Sequence, residues 1–210
     1  MIETLALVPW ENAATYYYLA ATLALSYLAG SIPFGLIFGW LSGAGDVRKI
    51  GSGNIGATNV LRTGKRWAAA ATLLCDAAKG WLAVHFAYVY LGLEFFLVVA
   101  GLGAFLGHLF PVWLRFKGGK GVATFIGIVF GLAWPVAFLT CFSWLGAAWY
   151  SRYSSLAALI AAALTPVYLY LWGTTLYALL AVLLALLIFF THRSNIARLM
   201  KGAEPKIGAR

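Results

Sequence analysis

Acid is the scarcest commodity in this chain, with six Asp and Glu residues among 210 against fifteen Lys and Arg. Charge of either sign makes up only 10% of residues, where a soluble domain carries about a quarter. No Lys or Arg occurs before Arg48. Apolar runs dominate the rest, with 63% hydrophobic residues and a mean hydropathy of +0.87. These proportions exclude an ordinary soluble domain and predict a single-domain, all-α polytopic membrane protein spanning 1–210. The first run follows an acidic start without Lys or Arg, so a cleaved signal peptide is not expected. Only two cysteines are present, Cys75 and Cys141, both inside apolar runs, which points to packing and not to a disulfide or a thiolate metal site. The three histidines are far apart and have no Cys or acid beside them in sequence, so neither a metal nor another cofactor is expected. A Walker A loop is absent as well. The surplus positive charge does not form a long basic surface, and no nucleic-acid partner is expected.

What is present is six apolar runs, at 15–41, 67–91, 95–113, 121–150, 154–172 and 174–191. Basic residues gather in the connections: Arg48, Lys49, Arg62, Lys65 and Arg66 in the first, Arg115, Lys117 and Lys120 in another. Arg193 and the tail to Arg210 carry five more, which leaves Arg152 in a short connection and Lys79 inside an apolar run. Positive connections stay cytoplasmic, so the N-terminus is expected outside and the C-terminus inside. Lys120 and Arg152, flanking the fourth run, both ask for the inside. As one helix, 121–150 would be ~45 Å long, too much for a core near 30 Å. Trp134-Pro135 interrupts it, so a hairpin of two short helices, 121–133 and 135–150, is preferred over a kink. The count becomes seven transmembrane segments. Gly35/Gly39, Gly39/Gly43, Gly103/Gly107 and Gly127/Gly131 are small residues four apart and are expected at close helix contacts. Asp76 and Lys79, three apart within an apolar run, are expected to pair or to contact a Gly-rich loop, since intramembrane charge is costly.

Three polar stretches then fall on one face, in connections near 42–66, 114–120 and 191–210. The first contains IGSGNIGATNVLRTGKR, residues 50–66. Gly51, Gly53 and Gly56 can turn backbone N–H groups toward an anion. Ser52, Asn54, Thr58 and Asn59 add neutral polar groups, and Arg62 offers a fork for phosphate. A plain Gly/Ser/Asn connector with topological charges explains the same residues. In the second stretch, FKGGKGVAT, Lys117 and Lys120 flank Gly118 and Gly119, and Gly121 opens a helix, a place that favours phosphate. The third, THRSNIARL, sets His192 and Asn195 on one face of a helix end. Ser155 follows Arg152 at a cytoplasmic helix start, where capping is the ordinary role.

Together GSIPFG at 30–35, GSGNIGATNVLR at 51–62, DAAKG at 76–80, GHLFPVWLRFKGGKGVAT at 107–124, RYSSLA at 152–157 and HRSNIARL at 192–199 resemble the bacterial acyl-phosphate-dependent glycerol-3-phosphate acyltransferases. That resemblance covers almost the whole chain. It implies a seven-helix inner-membrane enzyme with its site on the cytoplasmic side. Such an enzyme transfers a fatty acyl group from acyl phosphate to the sn-1 hydroxyl of glycerol 3-phosphate, giving lysophosphatidic acid and phosphate at the first step of phospholipid synthesis. Carried over by position, Ser52, Asn54, Thr58, Arg62, Lys120, Ser155, His192 and Asn195 form the implied site, with Lys117 nearby. Membrane lipid and the two substrates are the implied partners. The bottom-up rival is a channel or carrier for phosphorylated solutes, which needs polar residues continuing to the outer face. His192 has two open roles, general base or orienting group, and its basic company favours the second.

Overall fold

The structure, a computed structural model, describes residues 8–208. Glu3, in the acidic start, and Arg210, at the end of the basic tail, lie outside the described residues. Among the described residues the regular structure is entirely helical. Seven helices have eleven or more residues: α1 (Ala13–Gly30), α4 (Arg66–Leu91), α5 (Glu94–Leu109), α6 (Val122–Leu132), α7 (Trp134–Ser151), α8 (Ser154–Leu171) and α9 (Thr175–Thr191). Among the described residues three α-helices are short: α2 (Phe34–Leu41), α3 (Ala57–Leu61) and α10 (Arg193–Met200). By length and hydropathy, Ala13–Leu41, Glu94–Leu114 and Ser154–Leu171 can each cross a membrane, as can the bent pair α9–α10 if it is one span.

The first run is broken where one helix was expected. Pro33 ends the continuity between α1 and α2, because proline cannot donate to the preceding turn and disfavours helix in the residue before it. The fourth run does fold back on itself. Ala133 leaves helical geometry (φ −156°, ψ 88°) and Pro135 sits in the first turn of α7, where its missing N–H costs nothing. The rings of Phe130 and Phe138 come within 5.2 Å. Lys120, ahead of α6, and Ser155, just past α7, are both linked to Asn195 and Glu204 through hydrogen bonds. The two arms are unequal, at ~16 Å and ~27 Å from their 11 and 18 residues.

Small residues set the packing. A side chain at Gly103 or Gly107 would run into Ser26 or the Tyr27 carbonyl of α1, and one at Gly127 or Gly131 into Ala77 or Val84 of α4. At Gly35 it would strike the Ile55 carbonyl, and at Gly39 Val47, whereas Gly43 faces open space and only turns the chain. The main core lies among α4 to α9, around Phe105, Phe125, Ile128, Leu184 and Ile188. A smaller one, with Val47, Ile55 and Val60, seats the first connection against α2 and α4. Exposed aromatic residues gather at the helix ends: Tyr16, Tyr88, Trp134 and Trp172 at one end of the bundle, Trp40, Trp67, Trp113 and Trp149 at the other.

Candidate active site

The first connection is a self-braced loop. Asn59, buried, is its internal staple. Its Oδ1 accepts from the Ser52 N–H (3.0 Å) and hydroxyl (3.3 Å), and its Nδ2 donates to the carbonyls of Val47, Ile50 and Asn54. Gly51 has a left-handed φ of 54°, and a Cβ there would lie 2.6 Å from Asn59 Oδ1 and 2.8 Å from Arg62 Cδ. Only glycine lets those two side chains close under the turn. Asn54 Oδ1 accepts from the Ile55 N–H (2.9 Å), the Gly53 N–H bonds the Ile50 carbonyl (3.0 Å), and Gly56 caps α3. Thr58 Oγ lies 3.3 Å from Ser154 Oγ, tying this loop to the start of α8. Among the described residues the exposed Arg62 guanidinium makes no hydrogen bond or ion pair.

The second loop is laid across the end of α5. The Gly118 and Gly119 N–H groups bond the carbonyls of Leu109 and His108, each at 3.0 Å, using carbonyls that a helix end leaves unpaired. Glycine is therefore needed here for close approach, and these two N–H groups are already committed. Gly121 (φ 85°) turns the chain into α6 against the Phe105 ring. Between them, Lys120 points its Nζ to Asn195 Oδ1. Thr191 donates to the Lys120 carbonyl (3.3 Å).

The third stretch bends sharply: α9 and α10 meet at 62° about His192. The His192 Nδ1 lies 2.8 Å from the Ile188 carbonyl, which assigns the proton to Nδ1 and leaves Nε2 with its lone pair. Asn195 bridges two loops, accepting from Lys120 and donating to Glu204 Oε1 (2.6 Å). Glu204 also accepts from Ser155 (2.7 Å) and from Arg198 Nε (2.7 Å). One carboxylate thus gathers the second and third motif stretches and the α7–α8 turn, and Thr58 joins the first through the neighbouring Ser154.

Charge and burial tune the cluster. Burial, aided by Arg198 and Arg62 and opposed by Glu204, lowers Lys120 to about 8. Burial and the Lys120 charge lower His192 to about 4, against the Ile188 hydrogen bond and Glu204. Burial works against the Glu204 charge, but the hydrogen bonds from Ser155, Asn195 and Arg198 outweigh it and hold that carboxyl below its ordinary range. At neutral pH the site holds a cationic lysine, a neutral histidine and an ionised glutamate.

Beside this cluster, a cavity of about 510 Å³ lies between the first two loops, lined by Arg48, Gly53, Trp113, Arg115, Lys117 and Gly118 among others. Arg48 is neutralised there by Asp46 (2.8 Å). Lys117 therefore belongs to this cavity and Lys120 to the buried cluster. Glu204 was not among the residues singled out from sequence, although a signal existed: it is the only acidic residue after Glu94.

A family model described as glycerol-3-phosphate acyltransferase matches residues 20–202. Curated relatives of that name include one from Rhodopseudomonas palustris (strain BisB5), 57% identical over 90% of this chain and 95% of its own length. Another, from Bradyrhizobium sp. (strain BTAi1 / ATCC BAA-1182), is 58% identical over 92% of this chain and 97% of its own. Among solved structures, the crystal structure of PlsY (YgiH), an integral membrane glycerol 3-phosphate acyltransferase, in its glycerol 3-phosphate form is 37% identical with a TM-score of 0.86, over 90% of this chain and 96% of that one. The lysophosphatidic acid form of the same enzyme gives 36% and 0.85, over 90% and 95%. With nearly its whole length matched in sequence and in fold, the chain belongs to the glycerol-3-phosphate acyltransferase family.

Proposed function

We propose that this chain transfers a fatty acyl group from acyl phosphate to the sn-1 hydroxyl of glycerol 3-phosphate, releasing lysophosphatidic acid and inorganic phosphate. The setting is the bacterial inner membrane, crossed by seven segments with the N-terminus outside and the site on the cytoplasmic side. One observation carries this reading: Lys120, Asn195, Glu204 and Ser155 are hydrogen-bonded in series beside His192 and Arg62. Both substrates bear phosphate, and the described face has two cationic centres, the Lys120–Arg62 region and the Arg115–Lys117 cavity. The basic connections support the orientation, and the aromatic residues at both ends of the bundle support its crossing of the membrane.

In the step itself, the sn-1 oxygen attacks the acyl carbonyl carbon, the bond from that carbon to the phosphate oxygen breaks, and phosphate leaves. A mixed anhydride needs no acyl-enzyme. Lys120 and Arg62 hold the phosphates and Ser52 is placed for the developing oxyanion, where one such donor supplies ~3–4 kcal/mol. His192, neutral and with Nδ1 held by Ile188, presents Nε2 to accept a hydrogen bond from the sn-1 hydroxyl and aim it. A group titrating at about 4 is a weak base at neutral pH, so the proton passes to substrate phosphate. The acyl tail remains in the bilayer throughout.

The test is turnover by detergent-solubilised protein supplied with acyl phosphate or acyl-coenzyme A. Acyl phosphate alone should support acylation of glycerol 3-phosphate. Activity only with the thioester would overturn the donor. Movement of phosphorylated solute by sealed vesicles, with no acylation in detergent, would instead establish a carrier.

A further inference from the structure

Three ionisable side chains cluster within the bundle, apart from the Lys120 group. They are Asp76 and Lys79 on α4 and His108 on α5, exposed by 2%, 5% and 4%. Asp76 and Lys79 pair at 2.7 Å. Lys79 Nζ also donates to the Ile32 carbonyl (3.0 Å), in the break between α1 and α2. His108 Nδ1 is 3.5 Å from the same carboxylate oxygen of Asp76. The opposite edge of the His108 ring rests on Gly119: a Cβ there would meet Nε2, Cε1 at 2.8 Å and Cδ2 at 3.1 Å, and these are its three nearest atoms. The Gly119 N–H is in turn bonded to the His108 carbonyl. Gly119 is not in the left-handed region, so the imidazole is the nearest obstacle to a side chain at this position.

A buried ion pair is weak evidence for stability, since desolvation offsets its attraction. Its position gives it another use. We propose that Asp76, Lys79 and His108 are positioning residues for the 118–120 loop. The ion pair fixes the imidazole, the imidazole fixes the backbone of Gly119, and the next residue, Lys120, is thereby aimed at Asn195 and at substrate phosphate. This inference rests on the proposed anion-binding role of Lys120.

Steady-state kinetics of a small set of variants in detergent tests it, with thermal unfolding measured alongside. Gly119→Ala places a methyl in the ring and should raise KM for glycerol 3-phosphate about tenfold while kcat stays within about threefold. His108→Ala empties that space, so in the double variant KM should fall at least about fivefold from the Gly119→Ala value, a coupling that independent sites do not show. Gly118→Ala is the control. Its Cβ would meet the carbonyls of His108 and Leu109 and Pro111 Cδ, which His108→Ala leaves in place, so no relief is expected. Asp76→Asn should raise KM in wild-type background and add less than about twofold once His108 is Ala. If His108→Ala does not fold, His108→Ser opens the same space.

Additive effects at 119 and 108, or equal relief of both glycine variants, would overturn the proposal. Wild-type inactivity with acyl phosphate would refute the donor instead, and the cycle would then be run with the donor the wild type uses.

Discussion

Lys120 offers the most quantitative test, because burial brings its ammonium down to about 8, against an ordinary lysine near 10.4. If only the charged form holds substrate phosphate, the competent fraction is about nine-tenths at pH 7 and about one-tenth at pH 9. The free-enzyme parameter kcat/KM should therefore fall about tenfold across that interval, and about tenfold again by pH 10. Bound phosphate favours the ammonium, so kcat at saturating glycerol 3-phosphate should begin to fall only at higher pH. Substrate ionisation does not confuse the alkaline limb, since phosphate monoesters lose their second proton near 6. The assay is initial-rate phosphate release from acyl phosphate between pH 6 and 10, with enzyme-free blanks subtracted. In Lys120→Arg the charge persists throughout this range, so the rate should be lower everywhere but the fall between pH 7 and 9 should vanish. An unchanged alkaline limb in Lys120→Arg would refute the assignment of that ionisation to Lys120.

Arg62→Ala should depress kcat/KM by about 10²-fold or more, and Arg62→Lys should recover little, because an ammonium cannot reproduce the fork of an unpaired guanidinium; kinetics on the purified variants decide. His192→Asn should keep measurable turnover, and wild type should show no histidine ionisation near neutrality in kcat against pH, given a value of about 4; abolished turnover together with such an ionisation would make His192 the base. Glu204→Gln weakens three charge-assisted hydrogen bonds and should cost about 1.5–3 kcal/mol in unfolding, with reduced activity following the loss of Asn195 and Ser155 alignment; an unchanged Tm with full activity contradicts the gathering role. Single cysteines at 117 and 152, in a background without Cys75 and Cys141, should react with an impermeant thiol reagent from the same side, and one at 134 from the other; opposite-side labelling of 117 and 152 would falsify the seven-segment topology.

Where the sequence was legible, the cause was either length or strong local chemistry. The hairpin at Ala133 could be read because 121–150 is too long to span once and Pro135 marks the break. Lys120, His192 and Asn195 could be grouped because charge placed their connections on one face. The break at Pro33 was hidden by the unbroken apolar character of 15–41, since hydropathy reports burial in lipid and says nothing of backbone continuity. Asn59 looked like a ligand-facing amide, yet its five hydrogen-bonding contacts, with residues from Val47 to Asn54, all lie within its own loop. Polar residues of one loop look alike in sequence whether they face inward or outward. Glu204 lay in a basic tail and became meaningful only when the fold brought Ser155, 49 residues earlier in the chain, to its carboxylate. Likewise the glycines at 118 and 119 read as part of a phosphate site, and only the position of α5 reveals that their N–H groups are taken.

Acyl transfer from acyl phosphate to glycerol 3-phosphate at this site ties each phosphate released to one acylated product. It is tested most directly by measuring phosphate release from acyl phosphate by the purified protein, with and without glycerol 3-phosphate, alongside the lysophosphatidic acid formed. Release should require glycerol 3-phosphate and match the lysophosphatidic acid mole for mole. Release at the same rate without the acceptor, or acylation of glycerol 3-phosphate with no phosphate released, would contradict the account.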